Sequence, residues 1–528
     1  MWNKISNKIL GHREDNYIAI LLLILISFFL INNSIWLARD TLPPSWDQSA
    51  HANFCLKYYR LFSSPMRLSI TKLLNVTHYW PPFFYISSVP FLFLFGYSFD
   101  AIALTNFLYL IILVFSIYKI GAFFFNKTTG LGAVFITLFF PMVFALSRDI
   151  LLDFSLLALI ALTQYIILVS KAGMSRKWSF MLGIAMAFSL LTKWTAATFV
   201  IGSFSFLFFK TWVTEKQLRR QAVISLAIAA IIFLIIVLPW YISAFKDFMI
   251  GAKIAVVSDP SREGDPSGFN LRSMLWYWSA LKDVLISKLI LPFCLLGLAA
   301  YIIWVKKWNS LVFLLSWIVP ALFIFVALPN KDGRFIVPFL PAIGILTSAG
   351  ICSLPWKRIK VSIWTLLILL GVFQFYAISF GWPMSIDHYY THPPLRQDWK
   401  AGEILKILEE SYPSDSLSIG ILPNHPYFNP NIFRLHQELL KLPYMVEGLG
   451  DRPVTIEQLK KHHVFISKSG LLSVEHTALH RINFFNFLAK EGIEKYGFRL
   501  WKTFLLPDGS EAQVFLQIRK FSYDGIRE

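Results

Sequence analysis

Residues 179–209 read SFMLGIAMAFSLLTKWTAATFVIGSFSFLFF, an apolar stretch whose one charged residue, Lys193, lies near its middle. A helix needs about 20 residues to cross a hydrocarbon core ~30 Å thick, so this stretch is too long for one crossing. Lys193 and Trp194 interrupt the apolar run. We therefore predict a hairpin of two short membrane helices with Lys193 at its tip.

The composition of the whole chain is that of a membrane protein. Of its 528 residues, 56% are hydrophobic and 15% are charged, and the mean hydropathy is +0.57. Soluble domains carry roughly 25% charged residues. The high hydrophobic and low charged content excludes a water-soluble enzyme, a disordered protein and a coiled coil. Three scattered cysteines (Cys55, Cys294 and Cys352) are too few for a disulfide framework or a metal knuckle.

The net charge of +18 is confined to the apolar part of the chain. Residues 381–528 contain 17 Lys and Arg against 17 Asp and Glu, whereas residues 1–380 contain 32 against 14. Basic loops between membrane spans explain such an excess better than a nucleic-acid-binding face does. We expect a lipid bilayer and no nucleic acid as partner.

The basic loops also fix the predicted topology, because short loops rich in Lys and Arg stay in the cytoplasm. All six basic clusters fall on one side only if the Pro-rich run 81–99 lies in the outer interface and 179–209 crosses twice. This gives eleven spans, an uncleaved first span, a cytoplasmic amino terminus and an external carboxyl terminus. Besides the hairpin, the crossing runs are 17–36, 101–120, 129–147, 151–170, 221–241, 284–304, 310–328, 335–354 and 361–380.

The predicted fold is thus a polytopic α-helical membrane domain over 1–380, followed by an extracytoplasmic α/β domain over 381–528. Within the first domain, 37–100 forms a long outer loop with interfacial helices. In the second, alternating patterns predict strands at 417–422, 463–467, 498–506 and 512–518. Helical patterns occupy 431–441 and 475–490. We find no internal repeat.

Charged residues cluster at the predicted outer ends of the spans, where ionisable groups are costly and usually face a polar cavity or one another. One alternative is that Arg148 and Asp153 merely pair as helix-end anchors. Asp149 and Asp153 are four residues apart and would share a face if helical. Convergence on one leaflet favours a polar site open to the outside. The cluster comprises Asp47, Arg148, Asp149, Asp153, Lys193 and Arg334.

The mixture of groups indicates the chemistry of this site. Three cations without a carboxylate cage (Arg148, Lys193 and Arg334) suggest a phosphate, for which Arg offers a fork and Lys a point charge. The membrane setting suggests that the phosphate is attached to a lipid. Asp47, a lone acid in a separate loop, suits a general base.

These residues resemble a known family, the protein O-mannosyltransferases, and their bacterial relatives, including lipid A aminoarabinose transferases. The resemblance covers residues ~15–380 in order and topology. Residues 147–153 (SRDILLD) resemble the family's S-R-x-I-L-L-D stretch, and 191–195 (LTKWT) resemble its Lys-Trp motif. The family has an acidic pair where this chain has residues 46–48 (WDQ), and a His-Pro-Pro segment where it has 78–82 (HYWPP). Its Arg-aromatic-x-x-Pro-x-x-Pro stretch corresponds to residues 332–341.

The sequence departs from the family pattern at two places. Gln48 replaces the second acid of the pair, which leaves Asp47 as the one carboxylate there, and His78 begins the segment that follows. The Lys expected after the Pro-Pro pair is missing, and either Lys72 or Lys193 could substitute for it.

The resemblance implies the C-type fold of polyprenyl-phosphate-sugar-dependent glycosyltransferases and a place in the bacterial inner (plasma) membrane. The implied reaction moves a monosaccharide from a polyprenyl-phosphate donor to lipid A, protein or glycan at the periplasmic face, by a single inverting displacement. Asp47 would be the general base, with Asp149 and Asp153 as further candidate carboxylates, and the three cations would hold the donor phosphate. No cofactor is expected.

Several alternatives stay open at this point. A divalent metal held by His51, His78 and Asp47 is unsupported, because their spacing is not a ligand motif. Aromatic residues at 276–278 and 388–392 either contact sugar or acceptor or form interfacial belts. A transporter or exporter is disfavoured by the lack of repeats and of charges at the bilayer midplane. A lipid-carrier-binding subunit would need the cations but not Asp47.

Overall fold

The computed structural model of the chain describes residues 2–64, 68–258, 265–413, 416–450, 453–473 and 478–518. It divides into two compact units. The first unit consists of Met1–Ala38, Ser69–Ser87 and Ala103–Pro394, and the second of Arg39–Leu68, Ser88–Ile102 and Leu395–Glu528.

Helices dominate the described chain. In order they are α1 (Trp2–Arg39), α2 (Trp46–Phe62), α3 (Ile70–Leu74), α4 (Phe83–Phe95), α5 (Phe99–Ala103), α6 (Asn106–Phe124), α7 (Lys127–Leu138), α8 (Pro141–Leu146), α9 (Leu152–Val169), α10 (Arg176–Thr192), α11 (Ala196–Thr214), α12 (Arg219–Lys253), α13 (Leu271–Ala280), α14 (Leu291–Ala300), α15 (Trp308–Ala327), α16 (Leu340–Ser353), α17 (Lys357–Phe380), α18 (Ala401–Ser411), α19 (Pro430–Leu440), α20 (Ile456–Leu459) and α21 (Ala478–Glu491). Tighter 3₁₀ turns cover Lys216–Leu218, Gly333–Phe339 and Ile493–Tyr496, and wider π turns cover Ile254–Ser258, Leu281–Leu285 and Tyr301–Val305.

Within the described residues, eight helical stretches are long and apolar enough to cross a membrane. They are Asp15–Arg39, Phe99–Phe124, Leu152–Val169, Ala196–Thr214, Arg219–Val256, Trp308–Ala327, Gly333–Ser353 and Lys357–Phe380. Shorter helices occupy the three other predicted spans, namely α7, α10 and Leu291–Val305. The predicted polytopic helical architecture is confirmed.

The hairpin predicted over 179–209 is present as α10 and α11. Lys193 follows the last residue of α10 with extended backbone angles (φ −153°, ψ 130°), so the helix ends where the charged residue begins the tip. By contrast, the single span predicted over 129–147 is broken between α7 and α8. Pro141 starts the second piece, because a proline ring lacks the N–H that a continuous helix requires but is tolerated at a helix start.

The helices of the first unit pack closely through small residues. At Gly350 of α16, an added Cβ would collide with the carbonyl oxygen of Gly297 in α14. At Gly130 of α7, it would lie 2.6 Å from the carbonyl of Tyr118 in α6. Only glycine permits these contacts, which are typical of helix packing inside membranes. The two most enclosed of these spanning stretches are α9 and Gly333–Ser353. In each of them, 83% of the residues in the most apolar part are buried.

The second unit contains a five-stranded sheet of order β2-β1-β3-β5-β4. Its strands are β1 (Ser418–Ile421), β2 (Met445–Gly448), β3 (Val464–Lys468), β4 (Phe498–Leu505) and β5 (Glu511–Gln517). β1 pairs in parallel with β2 and β3, whereas β5 is antiparallel to β3 and β4. The small α/β domain is therefore confirmed, with four strands as predicted. The sequence patterns missed β2, α18 and the short helix α20.

The division of the chain differs from the predicted boundaries of 1–380 and 381–528, because two parts of the first outer loop join the carboxyl-terminal residues. The buried face of α2 (Ser49, Ala52, Cys55 and Leu56) packs in the second unit, mainly against α19. Leu42 belongs to the same apolar core as Trp399 and Ile404. Apolar burial thus ties residues 39–68 to the sheet domain.

Candidate functional site

Arg148 lies in the turn between α8 and α9 and is 2% exposed. Its Nη2 donates to Ser379 Oγ at 3.0 Å and to Thr391 Oγ1 at 2.7 Å. The guanidinium carbon lies 4.7 Å from the centre of the Trp36 ring. Arg148 is therefore held against the ends of α1 and α17 and the segment that follows α17.

Asp153 and Lys193 form a buried ion pair. Asp153 is in the first turn of α9, Lys193 is at the end of α10, and Nζ lies 2.7 Å from Oδ1. The side chains are 4% and 16% exposed. Lys193 Nζ also lies 5.2 Å from the centre of the Phe335 ring. The anchor alternative considered from sequence is thus corrected, since Asp153 pairs with Lys193 rather than with Arg148.

Asp149 does not share a helical face with Asp153, contrary to the conditional expectation. The reason is that α8 ends at Leu146 and α9 begins at Leu152, so Asp149 falls in the intervening turn. Its backbone carbonyl accepts a hydrogen bond of 2.8 Å from Asn106 Nδ2, and the residue is buried. The turn is fixed by this contact with α6.

Arg334 also has a carboxylate partner, Asp332. Its Nε and Nη2 lie 2.8 and 2.6 Å from Asp332 Oδ2, and the Tyr390 hydroxyl donates to Oδ1 at 2.5 Å. Burial alone would raise the pKa of Asp332, but the charge and hydrogen bonds of Arg334, with the Tyr390 hydrogen bond, lower it overall. The predicted absence of carboxylates around the cations is therefore corrected for Lys193 and Arg334.

Contacts of neighbouring residues link the three cations within the first unit. Lys193 faces the ring of Phe335, which follows Arg334 in sequence. The Arg334 guanidinium lies 5.8 Å from the centre of the Tyr390 ring, and the next residue, Thr391, accepts from Arg148. The segment 388–392 is thus built into the cluster.

His388 shares this segment and is held neutral. Its Nε2 donates to the Val284 carbonyl at 2.9 Å. Burial lowers the pKa of His388 and the positive charge of Arg148 adds to this effect, which outweighs the opposing hydrogen bond. An uncharged ring next to Arg148 adds no further positive charge at neutral pH.

Sequence reasoning missed several residues of this cluster. Asp332 had a local signal, because an Asp two residues before Arg334 can cap the following turn, and its Oδ1 accepts from the Arg334 backbone N–H at 2.8 Å. Tyr390 lies in the run 388–392, whose aromatic residues are compatible with either a contact to sugar or acceptor or an interfacial belt. Trp36 and Ser379 carried no signal, since their contacts depend on how the helix ends meet.

His78 and Lys72 lie outside this cluster of contacts. His78 Nδ1 is 3.7 Å from Asp247 Oδ2, and the two side chains are 49% and 57% exposed. Lys72 lies exposed on the short helix α3. Of the two lysines considered as substitutes for the family's missing Lys, Lys193 is the one that contacts the cluster.

Asp47 belongs to the second unit, where it occupies the first turn of α2 and is exposed. Gln48 follows it, and the Gln48 backbone N–H donates to the Ser45 carbonyl at 2.8 Å. His51 lies on the buried face of the same helix. In the part of the chain that the structure describes, no three His, Cys, Asp or Glu residues come close enough together to hold a metal ion.

Comparison with protein families matches part of the first half of the chain. The model of the dolichyl-phosphate-mannose-protein mannosyltransferases matches residues 81–242. This stretch, less than half of the chain, includes Arg148, Asp149, Asp153 and Lys193. A search of curated proteins gave no significant match.

Solved structures match over most of the chain. ArnT from Cupriavidus metallidurans bound to undecaprenyl phosphate has a TM-score of 0.56 at 12% identity, covering 95% of this chain and 99% of that one. The Archaeoglobus fulgidus oligosaccharyltransferase tethered with an acceptor peptide containing the NVT sequon has a TM-score of 0.56 at 11% identity, covering 86% and 69%. Its apo form has a TM-score of 0.54 at 12% identity, with the same coverage.

At these identities the structural matches establish the fold, and the family match over 81–242 covers two of the motifs that carried the resemblance. The predicted resemblance is confirmed. The chain is a multi-pass membrane protein with the C-type glycosyltransferase fold, similar to the protein mannosyltransferases and to ArnT.

Proposed function

We propose that this protein is a membrane glycosyltransferase that takes a monosaccharide from a polyprenyl-phosphate donor and transfers it, with inversion, to a hydroxyl of a lipid, protein or glycan acceptor. The observation that carries the proposal is that Arg148, Lys193 and Arg334 lie in one unit and are linked through contacts of neighbouring residues. Three cations joined through the segments 334–335 and 390–391 make a site for an anion. The setting among apolar helices favours an anion attached to a lipid.

The relatives support this choice of donor. The Cupriavidus ArnT structure holds undecaprenyl phosphate, a polyprenyl phosphate, and it matches this chain over 95% of its length. Arg offers its N–H fork to phosphate oxygens and Lys offers a point charge. In the proposed state, the donor phosphate shares Lys193 and Arg334 with Asp153 and Asp332, whose carboxylates hold both cations in place before the donor binds.

The reaction is a single displacement. The acceptor oxygen forms a bond to the anomeric carbon while the bond from that carbon to the phosphate oxygen breaks, and the polyprenyl phosphate leaves with the electron pair. Asp47 takes the proton of the acceptor hydroxyl, and the cations stabilise the charge that develops on the phosphate. Removing one such donor of charge stabilisation commonly costs about 10²–10³ in rate.

The carboxylates have separate roles in this scheme. Asp47 is exposed at the start of a helix and is suited to meet a substrate, whereas Asp153 is almost fully buried against Lys193. We therefore assign Asp153 to positioning Lys193. Asp149 is the second candidate for the base, and Gln48 and His78 are peripheral. No metal or other cofactor is part of the scheme.

The proposed location is the bacterial inner membrane. The amino terminus would lie in the cytoplasm, and the carboxyl-terminal domain would lie in the periplasm. This orientation follows from the one-sided distribution of the basic loops.

The test is transfer by the purified protein in detergent from a polyprenyl-phosphate-linked sugar to an envelope lipid or glycan fraction. Asp47→Asn should lower the rate by about 10²–10⁴, because Asn cannot accept the proton. Asp398→Asn is the matched control, an exposed Asp of the same unit whose side chain is 67% exposed. Product formed without any sealed compartment would exclude a pure transporter. Wild-type rates in Asp47→Asn would remove Asp47 as the base and direct attention to Asp149.

A further inference from the structure

The helix that carries Asp47 is built into the carboxyl-terminal domain. The segment before it is fixed first, because the Thr41 backbone N–H donates to the Leu395 carbonyl at 2.9 Å and Asp40 Oδ1 accepts from the Leu395 N–H at 2.7 Å. Leu42 then enters the apolar core shared with Trp399 and Phe428. Asp47 therefore begins a helix whose approach is held by residues more than 300 positions away in the chain.

The residue next to Asp47 is held in an unusual conformation. Trp46 has φ +26°, in a region that residues with a side chain rarely adopt. Its Nε1 donates to the Asn424 carbonyl at 3.4 Å, and its own carbonyl accepts from Asn431 Nδ2 at 3.4 Å. Backbone strain of this kind persists only where the surroundings impose it, and such sites are frequently functional. Both partners of Trp46 come from the carboxyl-terminal domain.

A second contact fixes the other end of α2. Arg60 Nη1 lies 2.7 Å from Glu438 Oε1, on α19, and the Glu438 side chain is 8% exposed. The Tyr97 hydroxyl donates to the same Oε1 at 3.4 Å. A buried carboxylate that pairs with one residue of α2 and one of the 88–102 segment joins the three sequence segments of the second unit.

We infer that the carboxyl-terminal domain positions the catalytic base: α19, through Asn431 near one end and Glu438 near the other, sets the location and direction of α2 and hence of Asp47. This inference rests on the proposed function. It makes Glu438, Asn431 and Trp46 positioning residues that act through Asp47, and it explains why the first outer loop belongs structurally to a domain that follows it by more than 290 residues.

Glu438→Gln tests the inference, because it keeps the side-chain shape and removes the charge that holds Arg60. Displacing a catalytic group by about 1 Å can cost ~10²-fold in rate. We expect kcat to fall by about 10- to 100-fold while the KM for the polyprenyl-phosphate donor stays unchanged. In an Asp47→Asn background the same change should cause no further loss of residual transfer, because the group it positions has gone.

The matched control is Glu403→Gln in α18, which breaks an exposed ion pair with Lys400 (2.7 Å) in the same unit and should leave kcat unchanged. If Glu438→Gln fails to fold, Trp46→Phe keeps an aromatic ring, removes the N–H donated to Asn424 and should lower kcat in the same way. Full additivity of Glu438→Gln with Asp47→Asn, or a wild-type kcat in both Glu438→Gln and Trp46→Phe, would overturn the positioning role. A wild-type rate in Asp47→Asn alone would instead overturn the base assignment.

Discussion

Replacing Lys193 by Met should destabilise the protein more than replacing Asp153 by Asn. The two charged atoms lie 2.7 Å apart, and the side chains are 16% and 4% exposed. Removing one partner of a buried ion pair typically costs ~3–5 kcal/mol, because the other charge is left uncompensated. Lys193→Met leaves the more deeply buried group, the Asp153 carboxylate, without its ion-pair partner.

Asp153→Asn should cost less, because the Lys193 charge that remains keeps another favourable contact. Its Nζ keeps its place 5.2 Å from the centre of the Phe335 ring, a contact of the kind that contributes ~0.5–2 kcal/mol. The double replacement, which leaves no buried charge at this pair, should cost less than the two single losses together. Contacting residues of this kind couple by ~0.5–3 kcal/mol.

The assay is thermal unfolding of the purified protein in detergent, followed by size-exclusion chromatography. The expected order of melting temperatures is wild type, then Asp153→Asn, then Lys193→Met, with the double variant above Lys193→Met. Lys171→Met is the control, since the Lys171–Glu215 pair is 3.2 Å long but 54% and 34% exposed, and such pairs contribute little. Strictly additive losses, or a Lys193→Met protein as stable as the control, would refute the buried-pair account.

Three further predictions concern the site, the second unit and the topology. Tyr390→Phe removes the hydrogen bond to Asp332 and should weaken polyprenyl phosphate binding several-fold in a binding titration, whereas Tyr389→Phe, 84% exposed, should not; equal affinities would contradict the role of Tyr390. Burial lowers the pKa of His436 to about 4, so the unfolded chain takes up a proton first and stability should fall as the pH drops below about 6.5. Between pH 6.5 and 4, the melting temperature of His436→Phe should fall less than that of the wild type. Equal falls in the two proteins would show that His436 is not a source of the loss of stability at low pH. Reporter fusions after Asn126, Ala172 and Arg220 should report the cytoplasm, and fusions after Asp100 and Pro383 should report the outside. A cytoplasmic signal from the fusion after Pro383 would contradict the orientation.

The helical membrane fold could be predicted because its signals are local. An apolar run of sufficient length identifies a span, and Lys193 with Trp194 marks the hairpin tip that the structure places between α10 and α11. The break at Pro141 was equally local but was overlooked, since hydropathy alone does not register a proline. The strand β2 was missed because Met445–Gly448 has four residues and just one of them, Val446, is buried.

The candidate site was predictable in composition, but its pairings were not, apart from that of Arg334 with Asp332 two residues before it. Arg148, Lys193 and Arg334 stood out as charges in an apolar setting. Ser379 and Thr391 lie 231 and 243 positions from Arg148, and Asp153 lies 40 positions from Lys193, so helix packing alone brings these partners together. The same holds for α2, whose burial against α19 depends on contacts across 378 positions, such as Arg60 with Glu438.

Binding of polyprenyl phosphate to the purified protein tests the central claim most directly, because it does not require the identity of the sugar. Arg148→Ala, Lys193→Gln and Arg334→Gln should each weaken binding by about 10-fold or more, since a hydrogen bond to a charged group contributes ~1.5–3 kcal/mol. Arg148→Lys should restore only part of the affinity, because the fork geometry is lost. Lys288→Gln, whose side chain is 73% exposed, should bind like the wild type. Wild-type affinity in all three cluster variants, in protein that remains folded, would contradict the assignment of this cluster to the donor phosphate.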